Sequence, residues 1–94
     1  MKLHLNEELK TILSRIIWFE AAEESIQNPI RILAYAMAYA SHDDMKTLLK
    51  YFPKEDLISF LEKIPPGIVD QKSWTYWNLM WGRYPAPPMP QRYF

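Results

Sequence analysis

The sequence predicts an all-α fold, a compact bundle of about five short helices with an extended proline-rich C-terminal tail. Three observations predict it. Apolar residues recur at three- and four-residue spacing in successive short segments, caps and prolines stand between those segments, and no pair of alternating runs flanks a hairpin turn. With 94 residues, 49% hydrophobic and 23% charged, the chain is one domain able to bury a single core. It divides into a helical domain, 1–82, and a proline and aromatic tail, 83–94, packed on the domain or on a partner.

Asn6, Glu7 and Glu8 mark the first start, a capping side chain followed by carboxylates at the positive end of the helix dipole. Leu9, Ile12, Leu13, Ile16 and Ile17 then form one apolar stripe, which predicts a helix to about Phe19. Glu20 to Gln27 is acidic with little apolar face, a short exposed helix or a connection with a solvated Glu20, Glu23 and Glu24 face. Asn28-Pro29 opens the next helix. From Ile30 to Ala40 its only charge is Arg31, so it is expected at the centre of the bundle. Alanines 34, 36, 38 and 40 allow close approach, and Tyr35 and Tyr39 are expected at the edge of the core.

After Ser41 and His42, a helix to about Phe52 turns Met45, Leu48, Leu49 and Phe52 inward, and Pro53 ends it. Another begins at Lys54 with Leu57, Phe60, Leu61 and Ile64 on one side, and Pro65-Pro66-Gly67 stops it. Asp70 caps the last helix, about Gln71 to Trp81, and Gly82 terminates it. At roughly 100° per residue, Trp74, Trp77 and Trp81 share one face, and Tyr76, Leu79 and Met80 the opposite one. One face can seal the core. The other must be covered by the returning PAPPMP segment, a second subunit in a homodimer, or a partner.

Eleven acidic and eleven basic side chains cancel, so the chain lacks the charge footprint that phosphate backbones or anionic lipids attract. The stretch Pro29–Ala40 falls short of the roughly 20 apolar residues of a membrane span. The chain has no cysteine for disulfides, and MKLHLNEELK has neither the apolar run nor the cleavage site of a signal peptide. Cytoplasmic residence without membrane contact is therefore expected.

His42-Asp43 matches the paired ligands of metal-dependent phosphohydrolases, but such a site draws on further histidines, and the only other is His4. A helix start with Asp43 and Asp44 on its dipole accounts for the same residues. Cysteine–histidine zinc sites and Glu-x-x-His metal bundles lack their ligands. Two glycines, Gly67 and Gly82, cannot make a phosphate-cradling loop, and no nucleophile motif occurs. Neither catalytic activity nor a cofactor or metal is expected.

The last twenty-two residues hold three of four tryptophans, three of six tyrosines and four of eight prolines. This composition points to docking. The candidate partner-binding residues are Trp74, Trp77, Trp81, Arg83, Tyr84, Pro87, Pro88 and Arg92, with aromatics as anchors and arginines at the rim. No acidic residue follows Asp70, whereas Lys72, Arg83 and Arg92 do, so the same segment offers a small nucleic-acid-binding regulator as the alternative function. PxxP spacing also allows the tail to serve as a ligand for an aromatic groove.

Trp18, Asn28-Pro29, Asp43-Asp44, Pro65 to Gly67, Ser73-Trp74 with Trp77, and Pro85 to Pro90 with Arg92 follow a pattern that covers most of the chain from about Ile16. In this pattern the chain resembles a family of small bacterial all-helical proteins encoded beside nucleotidyltransferase toxins of the AbiEii class. The resemblance implies an antitoxin-like role, in which the small protein binds the toxin and blocks it. Composition and spacing by themselves imply an all-α binding module.

Overall fold

Asn6 starts α1 (Glu7–Ile16) as a true cap, its side-chain oxygen accepting the Leu9 N–H at 2.8 Å. In the computed structural model, which describes residues 3–65 and 67–89, five further α-helices follow. They are α2 (Ala22–Ser25), α3 (Pro29–Tyr39), α4 (His42–Leu48), α5 (Lys54–Glu62) and α6 (Gln71–Met80). No strand occurs among the described residues.

The first helix stops three residues before the expected Phe19. Ile16 is its last residue, and Ile17 leaves helical geometry at φ −128°, ψ 68°. Two β-branched residues followed by two large aromatics have low helix propensity, and unwinding here puts both isoleucines in the core. Trp18 and Phe19 are thereby carried outward. A similar shortening ends α4 at Leu48, where a 3-10 turn over Leu49–Tyr51 takes the chain to buried Phe52.

Asn28 caps α3 through the Arg31 N–H, with Pro29 in its first turn. Ile32, Leu33, Ala34, Ala36 and Met37 are buried, and α3 packs against α1, α2, α5 and α6, which makes it the central helix its apolar circumference predicts. Ser41 caps α4 and Asp70 caps α6, each accepting from the amide three residues on.

Gly82 stops α6 at φ +78°, a left-handed geometry that glycine adopts without steric cost. Its N–H donates to the Leu79 carbonyl, and the Arg83 N–H reaches back to the Asn78 carbonyl at 2.9 Å, so two acceptors of the last turn are used. This turn sends residues 83–89 back along the domain.

Candidate protein-binding surface

On α6 the tryptophan face is the covered one. Trp74 and Trp77 are 2% and 6% exposed, and each indole N–H is spent inside the molecule. Trp77 Nε1 donates to the Met37 carbonyl of α3 at 3.0 Å, and Trp74 Nε1 donates to the Pro87 carbonyl of the returning tail at 2.7 Å. The tail thus serves Trp74 as an extended proline ligand would serve an aromatic groove, with the ligand in the same chain. Of the three tryptophans only Trp81 is half-open, stacked on Trp77 with ring centroids 5.9 Å apart.

Asn78, fully buried, joins the helix to the tail. Its amide donates to the Trp74 carbonyl at 2.8 Å, and its oxygen accepts from Arg83 Nη1 at 3.0 Å. Arg83 is therefore turned partly inward. Tyr84, at 84%, is the most exposed large aromatic among the described residues. Pro87 is half-buried and Pro88 exposed, whereas Arg92 lies outside the described residues.

Two open pockets flank α6. One, about 280 Å³, lies between α5 and the tail and is lined by Leu61, Glu62, Trp74, Arg83, Pro87 and Pro88. The other, also about 280 Å³, lies between α4 and α6, with Trp77, Trp81, Met45, Leu49 and Met80 as apolar walls and His42, Asp43 and Lys46 as polar ones. Beside it the exposed face of α6 carries Tyr76, Leu79 and Met80. Of the candidate residues, Trp74, Arg83, Pro87 and Pro88 line the first pocket, Trp77 and Trp81 the second, and Tyr84 neither, and the openly apolar face is the one opposite the tryptophans.

His42 is built into this wall. The Tyr76 hydroxyl hydrogen-bonds His42 Nε2, and the two rings meet edge to face with centroids 5.4 Å apart. The neighbouring carboxylate is also engaged, because Arg15 grips Asp44 through Nε at 2.8 Å and Nη2 at 2.5 Å. That hydrogen bonding holds the Asp44 carboxyl below its ordinary value of 3.8. Among the described residues no three His, Asp or Glu side chains come together as a metal site.

A second aromatic surface escapes the sequence reading. Trp18, Phe19, Tyr35 and Tyr39 form a closed circuit of ring contacts, with successive centroids 5.5, 5.5, 6.2 and 5.3 Å apart. Trp18, Phe19 and Tyr39 are 62%, 54% and 55% exposed. Behind them the Arg31 guanidinium lies 5.8 Å from the Phe19 ring and 5.3 Å from the Tyr35 ring, and its Nη1 meets Glu20 Oε2 at 2.6 Å. Glu20 also accepts from buried Ser25 at 2.7 Å, so it is an anchored group and not part of a solvated face. The hydrogen bond from Ser25, then that from Arg31, lowers its pKa. The only local signal of this surface is Trp18-Phe19 beyond the apolar stripe and the Tyr35–Tyr39 spacing.

These features define a small helical domain rich in surface aromatics, in which no described helix is long and apolar enough to cross a membrane. Comparison with protein-family models, curated proteins and solved structures finds no match in any of the three.

Proposed function

We propose that the chain is a non-catalytic, cytoplasmic protein-binding module of the antitoxin kind, and that its partner is a nucleotidyltransferase-type toxin. The observation that carries the binding reading is the α4–α6 pocket with the exposed α6 face beside it. At about 280 Å³ the pocket is just under the roughly 300 Å³ where cofactor and drug-sized sites begin, and it is open to solvent. It suits one or two apolar anchor side chains of a protein. Its walls supply tryptophan, a residue type that dominates interface energetics, and methionine, one enriched at interfaces, and Lys46 and Asp43 stand among them as a charged rim. The toxin as partner is what the family resemblance implies.

Protein is favoured over nucleic acid by the way Arg83 and the described part of the tail are held. Arg83 is bonded to Asn78, and the backbone at Pro87 is bonded to Trp74, so residues 83–89 are not a free basic arm. The test is co-expression with a nucleotidyltransferase of the AbiEii class. The chain should relieve growth arrest and co-purify with the enzyme, and Met80→Glu with Leu79→Glu, both at exposed positions, should abolish both effects while leaving the fold intact. Equal protection by that variant would overturn the docking surface. Binding of nucleic acid that weakens steeply with salt, with no enzyme retained, would overturn the partner.

A further inference from the structure

We propose that the Trp18–Phe19–Tyr39 surface is a second docking site, distinct from the α4–α6 pocket, and that it takes a basic segment of a partner protein, one presenting arginine or lysine beside apolar residues. Contiguous exposed aromatics, here Trp18, Phe19 and Tyr39, mark interaction surfaces in soluble domains. Their chemistry here is specific. The molecule already binds one guanidinium with this circuit, since Arg31 lies against the rings of Phe19 and Tyr35 and is fixed by the Glu20 carboxylate. Aromatic face plus carboxylate is the combination that holds a cation. Arg31 serves only that half of the circuit; no cation–ring contact among the described residues involves Trp18 or Tyr39, the most exposed half.

Charge points to the same occupant. Residues 18–28 hold three carboxylates and no cation. Glu20 is committed to Arg31, Glu23 meets Lys10 only at 4.0 Å with both side chains more than half exposed, and Glu24 is in no ion pair among the described residues. An aromatic platform continuous in sequence with an acidic turn repels a phosphate backbone. It also opposes a symmetric second copy, which would bring acidic turn against acidic turn. A cationic peptide satisfies both parts at once, its guanidinium or ammonium group over the indole and its charge towards Glu23 and Glu24.

The test uses the full chain immobilised against a displayed library of random twelve-residue peptides. Enriched sequences should be net basic with apolar neighbours. They should bind at least tenfold more weakly to Trp18→Ala and to Tyr39→Ala, and severalfold more weakly to Glu23→Gln/Glu24→Gln. Trp18→Phe should retain most of the binding, and Met80→Glu with Leu79→Glu should leave it unchanged. Acidic or uncharged consensus sequences, no enrichment, or full binding to Trp18→Ala would each overturn the proposal. So would sedimentation showing that the chain self-associates and that Trp18→Ala abolishes it, or a single-stranded oligonucleotide that binds the same residues.

Discussion

Two aromatic clusters in this small domain are built from the same residue types and used in opposite ways. Around α6, Trp74 and Trp77 are sealed in the core and both indole N–H groups have carbonyl partners. Around the turn after α1, Trp18 and Phe19 lie open beside Tyr39 and contact mainly one another and α3. The difference lies in what each cluster can reach. The α6 tryptophans have α3 on one side and a returning tail on the other. Among the described residues the Trp18 cluster finds its ring partners within itself and on α3, beside an acidic turn. Aromatic density alone therefore says nothing about exposure; the nearest backbone carbonyl says a good deal.

The sharpest way to break this contrast is to truncate one tryptophan from each cluster. Trp77→Ala should cost about 3–5 kcal/mol, the range for removing a large aromatic from a packed core, and should leave the Met37 carbonyl unpaired. Trp18→Ala should cost about 1 kcal/mol, since it loses only partly exposed ring contacts. Urea unfolding followed by circular dichroism measures both. Equal costs would mean that the two clusters are not core and surface.

Asn78 comes next. It is the buried polar hinge between α6 and the tail, and Asn78→Ala removes the acceptor of Arg83 and one contact to the Trp74 carbonyl. A loss of about 2 kcal/mol is expected, the scale for a hydrogen bond to a charged group. Arg83→Ala should add little further loss in the double variant, because the two residues act as a pair.

A smaller effect separates the tail's contribution from that of the core. Trp74→Phe keeps a ring in place but removes the donor to the Pro87 carbonyl, worth about 1 kcal/mol. The tail should open more often, and trypsin should cut after Arg83 about fivefold faster, the population change that such a free energy implies. Unchanged cleavage would show that ring contact, and not the indole N–H, holds the tail.

Much of the fold was legible because its boundaries carry local chemistry. Asn6, Asn28-Pro29, Asp70 and Gly82 all act within four residues of themselves, and all are found at helix ends. The candidate surface was legible only in part. Helical projection places Trp74, Trp77 and Trp81 together, but with two apolar faces on one helix it cannot say which one the core takes. That choice depends on where α3 puts the Met37 carbonyl, forty residues away in sequence. The Trp18 circuit was less legible still. Its rings come from a turn and from α3, and its acidic partner Glu20 is fixed by an arginine eleven residues on. Such contacts are consequences of packing, and locally they show only as Trp18-Phe19 beyond the apolar stripe and as the Tyr35–Tyr39 spacing.

The ion pair between Arg15 and Asp44 connects the two regions, because α1 leads into the Trp18 turn and α4 walls the Trp77 pocket. The hydrogen bond from Arg15 lowers the Asp44 pKa in the folded state. A carboxylate whose folded pKa is depressed stabilises the fold above its ordinary value, here 3.8, and that contribution disappears as pH falls through the lowered folded value. Glu20, lowered from 4.5 by Ser25 and Arg31, and Asp70, lowered from 3.8 by Ser73, act in the same direction. Stability should therefore fall on acidification below about pH 4.5, with three carboxylates contributing. Asp44→Asn should flatten the lower part of that slope and leave the part due to Glu20. At neutral pH it should cost less than Trp74→Phe, because the arginine side of the pair is largely in water. Thermal unfolding of both proteins from pH 7 to pH 2 would show this. A slope identical in the two would mean that α1 and α4 are joined by their apolar contacts alone, so that the two aromatic regions share a core but no electrostatic tie.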